Sequence, residues 1–163
     1  MGTAKLVCTN AVSLSMGLGG VIMSGCASGR PAAVLRLEAE DARLTGLEVA
    51  ATAPGFSGRG YVAGFDHDDD RLELTFRAAA GLYELRLRYR TPHGAKGYTL
   101  DVNGVPASGM LAAGGDGFAE QSVGKFLLRE GDNLLTMRKG WGWFEIDAFE
   151  LAPASVSPPA PVP

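Results

Sequence analysis

From Leu82 to Arg90 the chain alternates strictly, with Tyr83, Leu85, Leu87 and Tyr89 on one side and Glu84, Arg86, Arg88 and Arg90 on the other. A strand with one buried and one wet face suits that period, and a helix does not. The pattern returns at Arg71 to Arg77, where Leu72, Leu74 and Phe76 face inward, and at Tyr98 to Val102, which runs into an Asn103-Gly104 hairpin signal. Val34 to Glu40, Tyr61 to Phe65, Val123 to Leu128, Leu134 to Arg138 and Phe144 to Leu151 are further strand candidates, and no stretch of this region carries a 3.6-residue period. With 23 Gly and 9 Pro in 163 residues, there are turn formers enough to join many short strands. About eight or more such strands predict an all-β fold, an antiparallel β-sandwich most simply arranged as a jelly roll.

The ends of the chain read differently. Residues 1–25 carry one charge, Lys5, then a weakly apolar stretch through Val12, Leu14, Met16, Leu18, Val21 and Ile22, the pattern of an export signal. The stretch closes on Met23-Ser24-Gly25-Cys26, which resembles a bacterial lipobox. On that reading Cys26 becomes the acylated first residue, Cys8 leaves with the signal, and no disulfide forms. An ordinary cleaved signal with an Ala-Ser-Gly junction is the alternative. Both place the domain outside the cytoplasm, lipid-anchored to the bacterial cell envelope or else secreted, with membrane contact through the lipid alone. Residues 26–33 then form a short linker, 34–151 the sandwich, and 152–163 a Pro/Ala/Ser-rich tail or linker that cannot bury a core. A net charge of −3, from 15 basic and 18 acidic residues, argues against a non-specific nucleic-acid binder.

In the first strand candidate Glu38 and Glu40 stand two apart and are expected on one sheet face. Carboxylates held ~7 Å apart or closer repel unless a cation lies between them. A hard ion such as Ca²⁺, bound by about six to eight oxygens, is one resolution, and two solvated surface acids are the other. The run Asp66-His67-Asp68-Asp69-Asp70 reads as a solvated loop, because an EF-hand counted from Asp66 would have Arg71 where Gly is needed and Arg77 where Glu is needed. Lys139-Gly140-Trp141-Gly142-Trp143-Phe144 gathers both tryptophans into one glycine-rich loop. An exposed indole there would offer a flat face to the apolar side of a sugar ring. One ring of each kind is expected, with Trp141 the exposed platform and Trp143 capping the core, since strand alternation begins only after Trp141. Catalytic constellations are poor: there is no nucleophile elbow, and His67 and His93 lack metal-ligand spacing. Glu145 and Asp147 are two apart on one strand, whereas a glycosidase sets its carboxylates across a cleft.

Together these residues resemble the carbohydrate-binding modules of families 6 and 35. The resemblance rests on Glu38-Ala39-Glu40-Asp41, Ser57-Gly58-Arg59-Gly60-Tyr61-Val62, Gly81-Leu82-Tyr83-Glu84-Leu85 and Asp147-Ala148-Phe149-Glu150-Leu151. The segments Arg90 to Gly97, Asp116-Gly117-Phe118 and above all Gly140-Trp141-Gly142-Trp143-Phe144-Glu145-Ile146-Asp147 narrow it to the family 35 modules attached to bacterial β-mannanases. The resemblance implies a non-catalytic β-sandwich that binds plant polysaccharide, mannan or galactomannan foremost, and a monomer is expected. It implies a structural Ca²⁺ held by Glu38, Glu40, Asp147 and the carbonyl of Arg59. It also implies a sugar site among the loops at one end, with Trp141 as platform and His93, Lys96, Asp66 and Trp143 supporting it. Two other readings stay open: the N-terminal binding module of a secreted glycoside hydrolase, or an envelope lipoprotein that has lost sugar binding.

Overall fold

The computed structural model describes residues 33–154. The signal, the Cys26 lipidation site and most of the Pro-rich tail lie outside the described residues. The elements are β1 (Leu35–Glu38), a 3₁₀ turn (Ala39–Asp41), β2 (Arg43–Thr45), β3 (Glu48–Ala50), β4 (Tyr61–Ala63), β5 (Arg71–Ala78), β6 (Gly81–Thr91), β7 (Lys96–Val102), β8 (Val105–Leu111), β9 (Gly115–Leu128), β10 (Gly131–Trp141) and β11 (Glu145–Pro153). They form two antiparallel sheets. One has six strands in the order β3-β4-β11-β6-β9, with β1 also on β11; the other has five, in the order β2-β5-β10-β7-β8. The expected antiparallel β-sandwich is the fold.

The core is the interdigitation of the two inner faces. From the six-stranded sheet come Tyr83, Leu85, Leu87 and Tyr89 of β6 and Ile146, Phe149 and Leu151 of β11. Leu72, Leu74 and Phe76 of β5, Leu100 and Val102 of β7, and Leu135 and Met137 of β10 meet them. Phe65 and Phe144 stack 4.5 Å apart and close one end. Gln121 of β9 joins the sheets along one side: its amide nitrogen donates to the Met110 carbonyl, and its amide oxygen accepts from Ala112 N–H and the Tyr89 hydroxyl.

Several expectations shift. β1 ends at Glu38, and Glu40 lies in the 3₁₀ turn, so the two glutamates do not share a strand face. Ala152 and Pro153 pair with Glu84 and Tyr83, so β11 takes in the first residues read as tail. Proline is tolerated there because it closes the strand. Asp70, read as part of a solvated loop, is buried, and its carboxylate accepts the His67 N–H at 2.6 Å. Three strands were not expected. β2 and β3 have three residues each, too short to show a period. β8 turns Ala107 and Gly109 inward because the Tyr98 ring from β7 fills the space, its hydroxyl 2.8 Å from where a Gly109 Cβ would stand.

Candidate functional site

Two β-bulges shape the two candidate regions. On β11 the register passes from Ile146 opposite Tyr89 to Ala148 opposite Arg88, leaving Asp147 as the extra residue. A bulge re-aims a side chain that strict alternation would fix, and Asp147 becomes a fully buried carboxylate. Its Oδ1 accepts Ser57 N–H and its Oδ2 accepts the Ser57 hydroxyl, both at 2.8 Å, while Arg88 pairs closely with Oδ2. The Ser57 hydroxyl also lies 2.8 Å from Glu38 Oε2, and Arg36 donates to Glu38 Oε1 at 2.8 Å. The hydrogen bond to Glu38 holds the Arg36 guanidinium above its ordinary value, against a smaller opposing effect of burial. Arg59 N–H donates to Glu40 Oε1 at 2.6 Å, and the Arg59 side chain pairs with Asp41.

The loop from Ser57 to Arg59 thus gathers Glu38, Glu40 and Asp147, which the sequence keeps up to 109 residues apart. Glu40 is buried, and its Oε2 is one of two buried side-chain oxygens without a partner among the described residues. Gly58 has a φ of +61°, which favours glycine, and a Cβ there would stand 2.2 Å from Glu40 Oε1 and push that carboxylate aside. An orphaned buried carboxylate oxygen among hard oxygen donors fits a cation such as Ca²⁺. The fit is incomplete as arranged, since among the described residues no three acidic, His or Cys side chains converge as a ready ligand set; Ser57 and Arg88 occupy Asp147 instead.

The second bulge lies on β10, where Lys139 pairs with Tyr98 and Trp141 with Gly97, leaving Gly140 between them. Trp141 therefore projects from the outer face of the five-stranded sheet and is 54% exposed. Its indole leans across Gly97: a Cβ there would be 2.4 Å from Trp141 Cδ1. The Lys96 ammonium lies 5.7 Å from the centre of the ring, within cation–π range, and donates to the His93 carbonyl at 2.6 Å. The Lys96 stem passes over Gly142, whose φ of +68° suits glycine and whose Cβ would come within 2.5 Å of Lys96 Cδ. Trp143 is half-buried, edge-on to His93 at 5.2 Å, and Phe144 takes the core position that Trp143 was expected to fill. Lys139 reaches the other way, donating to the Asp66 carbonyl at 2.5 Å and pairing with Asp68 at 3.3 Å. The fold thus brings Trp141, Trp143, His93 and Lys96 together and ties the Asp66 loop to the same strand end. The carboxylates once considered as a catalytic pair are held by arginines of β6, Asp147 by Arg88 and Glu145 by Arg90.

Residues 35–154 match the model of carbohydrate binding module family 35. The chain belongs to this family. Family 35 is a non-catalytic carbohydrate-binding family, and the chain is such a module, related to those attached to mannanases. It is 35% identical over 122 residues to a mannan endo-1,4-beta-mannosidase of Thermothelomyces thermophilus, covering 74% of this chain and 25% of that protein. A mannan endo-1,4-beta-mannosidase A of Piromyces sp is 34% identical, over 70% of this chain and 19% of its own length. The family 35 module thus spans a quarter or less of the curated relatives it matches. Among solved structures, a Podospora anserina GH26-CBM35 β-(1,4)-mannanase superposes with a TM-score of 0.72 at 36% identity, over 77% of this chain and 29% of that one. A family 35 module from Clostridium thermocellum shares the fold, with a TM-score of 0.67 at 20% identity over 75% of this chain and 99% of its own.

Sequence reasoning about the family 35 module missed Ser57 as the bridge between Glu38 and Asp147, and Arg88 as the partner of Asp147. Ser57 had a signal in the Ser57-Gly58-Arg59 motif. Arg88 had none, being one of four alternating charges on β6.

Proposed function

We propose that this module recognises a mannan-type polysaccharide, mannan or galactomannan, by stacking a sugar ring on the open side of Trp141. The observation that carries this reading is an indole left half-exposed and braced by Gly97 and Lys96, where a core residue would be buried. Lys96 spends one of its three N–H donors on His93 and has others to offer a sugar oxygen. His93, Trp143 and Asp66 are the neighbouring candidates for hydrogen bonding or further stacking. The choice of mannan is supported by the mannanases among its relatives. Binding of this kind acts by proximity, raising the local concentration of polysaccharide near whatever the module is joined to. The relatives' greater length favours attachment to a hydrolase as the second reading.

Ca²⁺ is part of the proposal. Glu38, Glu40, Asp147 and the Arg59 carbonyl would hold it, and it would supply the positive charge that an orphaned Glu40 Oε2 lacks. Export and acylation of Cys26 rest on residues 1–26 alone. Affinity electrophoresis in gels containing mannan, galactomannan, xylan or pectin tests the binding reading. Retardation in mannan and galactomannan that is lost in Trp141→Ala is expected; equal mobility in every gel would sink it.

A further inference from the structure

The outer face of the five-stranded sheet next to Trp141 is open and follows a pattern of its own. Gly97 pairs with Trp141 on one side and with Met110 of β8 on the other, so the three share one row across β10, β7 and β8. Met110 is 48% exposed, and the Trp141 indole lies across the buried glycine between them, so the row carries an indole laid over Gly97 with an exposed methionine beyond it. Strands lie ~4.8 Å apart, so the row is about 10 Å wide. The next row on this face is Ser108, Thr99 and Arg138, all exposed, at roughly 7 Å along the strands. Arg138 forms no ion pair among the described residues, whereas the neighbouring Arg71 is paired with Glu73.

We infer that this face is a second, contiguous subsite that receives the continuation of a linear polysaccharide chain beyond the ring stacked on Trp141. The inference rests on Trp141 being the glycan platform. Its own observation is the sequence of rows: an apolar shelf made of the Trp141 indole laid over Gly97 with Met110 beyond it, followed by hydroxyls and an unspent guanidinium. That order suits a ligand with apolar C–H faces and hydroxyl edges. Two isolated apolar side chains on a polar sheet are too little for a stable protein partner.

The test is calorimetric titration with β-1,4-linked mannooligosaccharides of two to six units. The variants are Met110→Ala, which removes the far end of the shelf, and Thr99→Arg, which obstructs the second row from an exposed position. For the wild type, affinity should rise about tenfold from the shortest to the longest ligand as further subsites fill. In both variants that gain should shrink to less than about threefold, with the disaccharide affinity and melting temperature unchanged. Length-independent binding in the wild type, or a full gain with length in both variants, would overturn the subsite while leaving the Trp141 platform standing. Binding that survives Trp141→Ala at every length overturns the platform, and no binding by the wild type at any length overturns both.

Discussion

Asp147 and Asn133 are both buried polar side chains, and their neighbours separate a site from a structural support. Asn133 is fully engaged: its oxygen accepts from Asn103 and from Arg129 N–H, and its nitrogen donates to the carbonyls of Arg129 and Gly131. Asn133→Ala should cost about 2–3 kcal/mol in denaturant unfolding and leave sugar binding intact, because it strands those groups without touching the far end of the sandwich. With a chelator present, Arg88→Met uncovers the Asp147 carboxylate and should destabilise by about 3–5 kcal/mol in denaturant unfolding, the range for removing one partner of a buried ion pair; with Ca²⁺ added the loss should be smaller, because the cation also satisfies Asp147. Gly97→Val places a side chain where the Trp141 indole lies. It should abolish mannan retardation with far less effect on melting. At this scale the tryptophan loop was legible, since Trp141, Trp143, Lys96 and His93 cluster in two short segments. Gly97 was not, because its role depends on cross-strand register and a bulge, neither of which leaves a trace in local sequence.

The long strands declared themselves through alternation, and the elements that did not are those whose inner positions are small. β8 buries space behind Ala107 and Gly109 with the ring of Tyr98, so its pattern is written on its neighbour. The failure at Glu40 is of the same kind: a 3₁₀ turn replaces the last strand residues, yet Glu40 still reaches the Ser57 to Arg59 loop that also holds Glu38 and Asp147. If Ca²⁺ binds there, it ties β1, the loop and β11 in the folded state only, so a chelator should lower the melting temperature and Glu40→Ala should show little further loss with chelator. An unchanged melting temperature would remove calcium from the account. Burial raises the hydroxyls of Tyr98 and Tyr89 above their ordinary value, for Tyr89 against a weaker opposing effect of the Ala112 backbone. The neutral phenol is the form the fold favours. Its contribution is therefore complete below pH ~10 and declines as pH rises through the raised folded-state values. Tyr98→Phe should move the onset of alkaline unfolding upward in a pH series of melting curves.

The whole molecule is a β-sandwich with its two candidate regions gathered by bulges on β10 and β11, the carboxylate cluster on one sheet and the tryptophan on the other. The strands enclosing the core keep both regions in place without either having to form a catalytic cleft. If residues 1–26 direct lipidation, growth with labelled palmitate should mark the protein and Cys26→Ala should abolish the label; labelling that persists would contradict the anchor. If Trp141 carries recognition of mannan, calorimetric titration of soluble galactomannan into wild type and Trp141→Ala must separate the two proteins. The wild type should bind, and the variant should lose at least about 2 kcal/mol, roughly 30-fold in affinity, at an unchanged melting temperature. Equal affinities for the two proteins, or no binding by the wild type, would contradict it.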